Sequence, residues 1–296
     1  MRIAEYGPHR RADVADLMQR VWGARPAEAE LAWLYEGSPV RPASVLLGED
    51  ERRRIVGVVA MSFLRMSIGG TEVVVGMPVG LATDPAHRGR GVFQELQGAN
   101  EERARESGVR LLLIVPNAAS AAVLVRRLGW TPLPSLRVWA RPNPLRRRVL
   151  RARGRRARRV DRLPPPVTRC HERGAPAGDC VLRDAAYLDW RFAGAPRPYV
   201  LLDGGDGYAV TGRRGRVGVV AAVSPKGARG DLLGDVAAAA ERPLLIAAPP
   251  PWERRRYALA GYVPTPRTFA VLGKSLHPAQ PLPARPHFEL GDLDFF

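Results

Sequence analysis

The sequence Leu81-Ala-Thr-Asp-Pro-Ala-His-Arg-Gly-Arg-Gly-Val-Phe93 joins an apolar stretch to an amphipathic one. The apolar residues from Val73 to Ala82 predict a strand, and the apolar spacing from Val92 to about Ser107 predicts a helix. A basic, Gly-containing turn between them directs free backbone N–H groups and the positive end of a helix dipole at one point. The stretch therefore predicts an anion site, and phosphate is the anion that such turns most often bind.

The segments on either side of this turn predict an α/β domain. The apolar run from Leu111 to Val115 has the continuous character of a buried parallel strand. A helix is expected after Pro116-Asn117, and it should end at Leu128 because Gly129 follows. The remaining predicted elements are strands at 1–6, 44–47, 55–66 and 136–140 and helices at 10–22 and 27–36.

Composition narrows the class of protein. The 296 residues carry a formal net charge of +17, almost all of it from Arg, and the run from Arg141 to Arg162 is the densest. We favour a solvated connector for this run over a nucleic-acid contact. The two cysteines, Cys170 and Cys180, lack zinc-ligand spacing, so no metal is expected. No apolar run reaches the ~18 residues of a membrane span, so we expect a cytoplasmic protein without a membrane partner.

The second half of the chain repeats the first weakly. Trp33 and Trp190 have similar surroundings, and Gly129-Trp130 is matched by Gly261-Tyr262. The pentapeptide Val56-Gly-Val-Val-Ala60 recurs as Val217-Gly-Val-Val-Ala221. The second copy is shorter between these markers. We expect the missing residues where the first copy has its Gly-containing turn, because residues 225–230 contain no Arg-Gly-x-Gly.

The order of strand, Arg88-Gly-Arg-Gly91, amphipathic helix, parallel strand, Asn117 and Leu-Gly-Trp130 resembles the GNAT superfamily of acyl-CoA-dependent N-acyltransferases. Phe93 departs from the family turn, in which the final position is a small residue. The Pro-Asn-x-x-Ser sequence and the repeat resemble the Eis-like tandem-GNAT branch. The resemblance implies an α/β fold of two tandem GNAT-like domains, each a mixed twisted sheet flanked by helices. The expected ranges are 1–140 for the donor-binding domain, 141–170 for a linker, 171–275 for a degenerate second domain and 276–296 for a tail.

The resemblance also implies how the donor, acetyl-CoA or another acyl-CoA, is held as a co-substrate. The turn would bind the pyrophosphate, the strand before it would pair with the pantetheine arm, and the start of the next helix would line the other side. A bulge and a splay in that strand would give the thioester its slot, where a backbone N–H meets the oxyanion. The residues implied are Leu81, Ala82, Thr83, Arg88, Gly89, Arg90, Gly91, Val92, Phe93, Asn117 and Ala118.

The groups that move protons are less well defined by the sequence. Many GNAT enzymes carry an acidic Tyr on the helix after Asn117, and this chain has Ala121 to Val125 there. The candidates are Glu36, Glu72 and Ser120, each of which has an ordinary solvated, capping or helical role as its alternative. In Eis-like proteins the terminal carboxylate can act as the base. We expect a disordered tail here, because Pro281 to Pro286 has the composition of a linker.

The function expected is transfer of an acyl group from CoA to a primary amine of a small molecule. Two alternatives stay open at this point. Fem-type transferases also have tandem GNAT folds and use aminoacyl-tRNA, which the Arg-rich run could contact. The missing Tyr is also compatible with a non-catalytic CoA-binding protein.

Overall fold

The structure is a computed structural model that describes residues 1–143, 157–164, 178–224 and 232–293. It divides into two compact units. Unit 1 consists of Met1–Met66, Val73–Leu133 and Ala270–Leu282, and unit 2 consists of Ser67–Glu72, Pro134–Phe269 and Pro283–Phe296. Most of the Arg-rich run, together with Cys170 and the terminal carboxylate, lies outside the described residues. The domain ranges given above stay a prediction.

The first ten elements follow the predicted order. They are β1 (Arg2–Glu5), α1 (Arg11–Trp22), α2 (Glu28–Glu36), β2 (Ser44–Glu49), β3 (Ile55–Ile68), β4 (Thr71–Thr83), α3 (Val92–Glu106), β5 (Leu111–Ile114), α4 (Ala118–Leu128) and β6 (Thr131–Pro142). Helix α3 and strand β5 each lie within one residue of their predicted limits. The mixed α/β class is therefore confirmed.

Local chemistry explains where the helices begin and end. Helix α1 buries Val14, Leu17 and Met18 on one face and ends at Gly23, whose φ of +76° suits a residue without a Cβ. Helix α4 begins after Asn117, whose Oδ1 accepts the backbone N–H of Ser120 at 2.9 Å. These side-chain and glycine caps satisfy backbone groups that the helix itself cannot pair.

The sheet of unit 1 runs β1-β2-β3-β4-β5 and then continues with a strand from near the end of the chain, β13 (Val263–Ser275). Strands β1 to β3 pair antiparallel, β4 pairs parallel with β5, and β5 pairs antiparallel with Leu272–Ser275 of β13. The parallel step is the one that α3 connects, as a crossover requires. Unit 1 thus contains one strand that the predicted range 1–140 does not include.

Unit 2 contains a second set of hydrogen-bonded strands. Its further elements are β7 (Arg158–Val160), β8 (Cys180–Val181), α5 (Ala185–Leu188), β9 (Val200–Asp203), β10 (Tyr208–Arg214), β11 (Val217–Val223), α6 (Leu232–Ala240), β12 (Leu244–Ala247) and α7 (Arg254–Leu259). The order is β7-β9-β10-β11-β12-β6. The β11–β12 pair is parallel and the other pairs are antiparallel, which is the pattern of unit 1.

This topology corrects one of the repeat matches. Val56–Ala60 lies in β3, whereas Val217–Ala221 lies in β11, which occupies the position of β4. The identical pentapeptide therefore joins two strands that are not counterparts. Short apolar strand sequences resemble each other because each only has to fill a buried sheet.

The length difference between the halves also has a different location. Strands β3 and β4 are 14 and 13 residues long, and their counterparts β10 and β11 are 7 residues each. Much of the shortening therefore falls in this hairpin and not at the Gly-containing turn. The corresponding turn of unit 2, residues 225–231, lies outside the described residues.

The expectation of a disordered tail is wrong for residues 276–293. Phe288, Leu290 and Leu293 are fully buried, and a 3-10 turn spans Leu290–Asp292. Apolar side chains at these positions alternate with carboxylates that contact buried guanidinium groups. The segment is therefore held by both hydrophobic packing and ion pairs. The Pro-rich composition upstream does not reveal this.

Candidate functional site

Strands β4 and β5 pair over only a short length before they part. The pairs are Val75 with Leu111 and Gly76 with Leu112, after which β5 continues to Ile114 and β4 continues to Thr83. Backbone groups of β4 beyond Gly76 that face this side therefore have no partner in β5. An open strand edge of this kind can pair with an extended ligand.

A glycine interrupts the regular strand conformation of β4 within the parted segment. Gly80 has a φ of +59°, a value that residues with a Cβ rarely adopt. A Cβ built there would lie 2.9 Å from Oη of Tyr35, a 1% exposed side chain from the end of α2. Gly80 is therefore required both by the backbone conformation and by the close approach of Tyr35.

Asp84 anchors the beginning of the turn. Its backbone N–H donates to the carbonyl of Val56 at 2.8 Å, and Oδ1 accepts the N–H of Ala86 at 3.0 Å. Arg20 of α1 donates from Nε to Oδ2 of Asp84 and from Nη2 to the carbonyl of Ile55, both at 3.0 Å. Burial alone would raise the pKa of Asp84, but the Ala86 N–H and the Arg20 guanidinium hold that pKa below its usual value.

In the second part of the turn, residues 88–91, the backbone is exposed to solvent. Gly89 and Gly91 have φ values of +74° and +83°, and Gly91 begins α3 without a side-chain cap. The first N–H groups of a helix have no intrahelical acceptor, so they point at the turn with the positive end of the helix dipole. Arg88 and Arg90 are exposed on the same turn. The arrangement suits a polyanion.

The end of β4 and the start of α3 share one apolar base. Leu81 and Phe93 pack against the cluster that includes Met61, Ile114 and Leu124 and also against the cluster of Leu46, Val59, Val92 and Leu96. Val92 approaches β3 closely, since a Cβ on Gly57 would lie 2.5 Å from its Cγ1. Ala82 is buried and Thr83 is half-buried. The structure thus brings residues 81–83 and 92–93 together.

The start of α4 reaches the same apolar base from the other strand. Ala121 packs against the cluster that also contacts Leu81 and Phe93, and Asn117 and Ala118 are exposed just before it. The Asn117 side chain caps α4, and the Ser120 hydroxyl donates to the Asn117 carbonyl at 3.2 Å. Ser120 is therefore engaged in the cap of its own helix.

The other two proton-transfer candidates lie in different surroundings. Glu36 is exposed at the end of α2, where Arg11 donates to its two oxygens at 2.7 and 2.9 Å and Tyr6 Oη donates at 3.0 Å. Burial and the hydrogen bond to Glu36 raise the pKa of Tyr6. Glu72 is exposed near the start of β4, nine residues from Leu81, or ~30 Å along an extended strand. Their catalytic roles stay a prediction.

Sequence reasoning did not identify Gly80, Asp84 or Arg20 as parts of this site. Asp84-Pro85 carries a local signal, because Asp before Pro often begins a turn. Gly80 and Arg20 carry no such signal, because their roles depend on Tyr35 and Asp84, which are distant in the sequence. Within the described residues, no group of three or more His, Cys, Asp or Glu side chains could hold a metal ion.

Comparison with known families agrees with this geometry. Residues 3–133 match the family model of the acetyltransferase (GNAT) domain. Residues 3–133, less than half of the chain, are thus similar to the domain of an acyl-CoA-dependent N-acyltransferase, and the protein is an enzyme of the transferase class. A search of curated proteins gives no match. Among the described helices, none is both long enough and apolar enough to span a membrane.

Solved structures support the tandem architecture at the level of fold. A tandem GNAT protein from the clavulanic acid biosynthesis pathway is 15% identical with a TM-score of 0.61, covering 94% of this chain and 99% of that one. Eis1 from Mycobacterium abscessus is 15% identical with a TM-score of 0.64, covering 93% and 74%. A GCN5-related N-acetyltransferase from Kribbella flavida is 15% identical with a TM-score of 0.64, covering 93% and 70%.

Proposed function

We propose that the protein transfers an acyl group, in the simplest case acetyl, from CoA to a primary amine of a small molecule. The observation that carries the proposal is the parting of β4 from β5 beyond Gly76, directly before the turn that opens α3. An acyl-CoA has an extended amide-containing arm followed by a pyrophosphate. The open strand edge and the bare turn match these two parts in the same order along the chain.

The turn residues would hold the anionic end of the donor. Backbone N–H groups from Arg88 to Phe93 would surround the pyrophosphate, with the guanidinium groups of Arg88 and Arg90 adding charge. Leu81, Ala82 and Thr83 would pair with the arm, and Asn117 and Ala118 would line its other side. The side chain of Asn117 keeps its capping bond in this arrangement, so the contact would involve its backbone and its amide nitrogen.

The reaction would proceed by direct attack of the amine nitrogen on the thioester carbonyl. The C–N bond forms, the C–S bond breaks, and the amine proton passes to solvent or to a nearby base. Glu36, Glu72 and Ser120 stay candidates for that base. Because Glu36 already accepts three hydrogen bonds and Ser120 is in a helix cap, we favour solvent as the acceptor of the amine proton. Because Ala121 to Val125 replace the acidic Tyr of many GNAT enzymes, solvent would also protonate the leaving thiolate.

Titration calorimetry with acetyl-CoA tests the proposal, followed by a thiol-release assay with a panel of primary amines. We expect binding of the donor and release of free CoA with at least one amine. Absence of donor binding together with salt-sensitive tRNA binding would instead support the Fem-type alternative. Donor binding without thiol release across the panel would contradict the amine specificity.

A double substitution locates the donor site. Arg88→Ala with Gly91→Asp removes one cation and places a carboxylate where the pyrophosphate would lie, so donor affinity should fall at least about 100-fold. The matched control is Arg110→Ala with Gly108→Asp beyond the other end of α3, where Gly108 also has a positive φ, +81°, and open surroundings. Unchanged affinity in the first variant would show that the site lies elsewhere.

A further inference from the structure

Strand β11 of unit 2 can be aligned with β4 of unit 1 residue by residue. In β4, a Cβ on Gly76 would lie 2.6 Å from Cδ2 of Leu112, its partner in the parallel strand. In β11, a Cβ on Gly218 would lie 2.5 Å from Cδ2 of Leu245, again its partner in the parallel strand. The same close contact therefore fixes Gly218 as the counterpart of Gly76.

Counting along both strands from these glycines pairs Val223 with Leu81. Each strand is irregular in between: β4 has the positive φ of Gly80, and β11 has a register shift opposite Val210 and Thr211. Because each strand contains one irregularity, the same number of residues separates Gly76 from Leu81 and Gly218 from Val223. Leu81 is the first of the three residues proposed to pair with the donor arm, so Val223 lies at the same point of unit 2.

The backbone N–H of Val223 points away from β10. Val223 is opposite Ala209, and the next residue, Ser224, donates its N–H to the carbonyl of Tyr208 at 2.9 Å. In an antiparallel pair, alternate residues direct their N–H groups to opposite sides. The Val223 N–H therefore faces the β12 side, beyond the last β11–β12 pair at Val219 and Ile246.

A carboxylate from near the end of the chain accepts the hydrogen bond of the Val223 N–H. Both oxygens of Glu289 accept it, at 3.1 and 3.3 Å. Gly291 lies so close to β11 that a Cβ on it would be 2.6 Å from the carbonyl oxygen of Ala221. The segment therefore follows the edge of β11 and allows no side chain at Gly291.

Buried charges hold this segment in place. Asp292 is paired with the guanidinium of Arg183 and accepts Tyr187 Oη at 2.9 Å, while Arg183 also contacts Glu289 at 3.2 Å. Arg191 donates to the backbone carbonyls of Gly291 at 2.6 Å and Leu293 at 2.5 Å. These carboxylates and guanidinium groups are at most 5% exposed, so each depends on its partner.

We propose that the segment Phe288–Leu293 is a built-in occupant of the second unit's donor slot, lying beside β11 where the acyl-CoA arm lies beside β4. The assignment of the β4 slot rests on the proposed function, whereas the occupation of the β11 edge does not. The consequence is one open donor site per chain. The second half of the protein keeps the strand geometry of a donor site and fills it with its own polypeptide.

The Gly291→Ala substitution in the full chain tests the occupation. Its Cβ cannot fit beside Ala221, so hydrogen exchange of the Val223 amide should rise at least about tenfold. The Cys180 side chain is 5% exposed, and its backbone forms a β-bridge with His287, just before the segment. The Cys180 thiol should therefore react faster with an alkylating agent in the variant. The control Gly98→Ala, with open space around it, should change neither reading. Unchanged exchange at Val223 would overturn the proposal. If Gly291→Ala does not fold, Glu289→Gln gives the same readings.

A ligand then tests whether the edge is a donor slot. Free pantetheine should slow Val223 exchange again in Gly291→Ala and have no effect on Val223 in the wild-type chain. Lack of protection in the variant would reduce the segment to a structural tail and overturn the slot assignment. In wild-type calorimetry, a stoichiometry of two CoA per chain would also overturn it. A stoichiometry of zero would refute the proposed function while leaving the exchange result valid.

Discussion

At the scale of single residues, Gly80 offers a direct test of the proposed donor slot. A residue with a Cβ at its φ of +59° costs about 1–2 kcal/mol, and the contact with Tyr35 Oη adds to this cost. Gly80→Ala should therefore lower the free energy of unfolding and weaken donor binding. Urea denaturation and acetyl-CoA calorimetry measure the two effects. The double variant Gly80→Ala with Tyr35→Phe should recover part of the lost stability and part of the lost donor affinity. Equal losses in the single and double variants would argue against the contact.

A second residue-scale prediction concerns His287. Burial, assisted by Arg183, lowers the pKa of His287 to about 3, and Nε2 has no hydrogen-bond partner. The unfolded chain binds a proton below its usual pKa of 6.5 and the folded chain does not, so this group removes stability as pH falls from about 6.5 towards 3. Between pH 7 and 4.5 the loss is on the order of 2–3 kcal/mol.

His287→Phe should abolish that loss while keeping the contact with Trp252, whose ring centroid lies 5.8 Å away. Urea unfolding of the wild type and His287→Phe from pH 7.5 to 4.5 gives the difference between their free energies of unfolding at each pH. The neighbouring charged groups, Asp292, Glu289, Arg183 and Arg254, are present in both proteins, so their contributions largely cancel in this difference. The exposed His9→Phe is the control. Parallel pH curves for wild type and His287→Phe would contradict the assignment.

At the scale of elements, the turn before α3 depends on its anchor in α1. Asp84→Asn removes the charge that Arg20 contacts, and hydrogen bonds to charged groups contribute about 1.5–3 kcal/mol. We expect a loss of stability of this size and about tenfold weaker donor binding, because the turn is less well positioned. The control Asp16→Asn breaks the exposed pair between Asp16 of α1 and Arg25, which follows that helix, and should cost less than about 1 kcal/mol. Equal effects of the two changes would refute the anchor.

The elements themselves are the part of the fold that sequence patterns describe best. Helix α3 and strand β5 follow from periodicity and from an apolar run, since both depend on neighbours within the segment. The correspondence between halves is harder, because Val56–Ala60 and Val217–Ala221 satisfy the same burial in strands that are not counterparts. Only the pairing of Gly76 with Leu112 and Gly218 with Leu245 fixes the register.

At the scale of the whole molecule, an ion pair within unit 1 joins the end of β13, which comes late in the chain, to α3. Lys274 of β13 donates to Glu101 of α3 at 2.5 Å and to the carbonyl of Leu128 at 2.6 Å, and Glu101 also accepts Trp130 Nε1 at 2.7 Å. Glu101 is 3% exposed. Lys274→Met leaves the buried Glu101 carboxylate without its cation. Because Lys274 itself is partly exposed, we expect a loss of about 1–3 kcal/mol in unfolding free energy.

The double variant Lys274→Met with Glu101→Gln should recover part of that loss, since the uncompensated charge is gone and Trp130 can still donate to the amide oxygen. Urea denaturation of the wild type, Lys274→Met, Glu101→Gln and the double variant completes a double-mutant cycle. Additive losses would show that the two side chains act independently. No sequence pattern predicted this pair, because Lys274 stands out only as one of two lysines and lies far along the chain from Glu101.

The position of β13 in unit 1 has a consequence for synthesis of the protein. Strand β5 pairs with Leu272–Ser275, so the sheet with the proposed donor site lacks a strand until the ribosome has translated residue 275. Most multidomain chains can complete their first domain while the second is being made. Here the edge of β5 stays unpaired in the nascent first domain until β13 has been made. A premature stop codon far downstream would therefore remove a strand from the half of the protein with the proposed donor site.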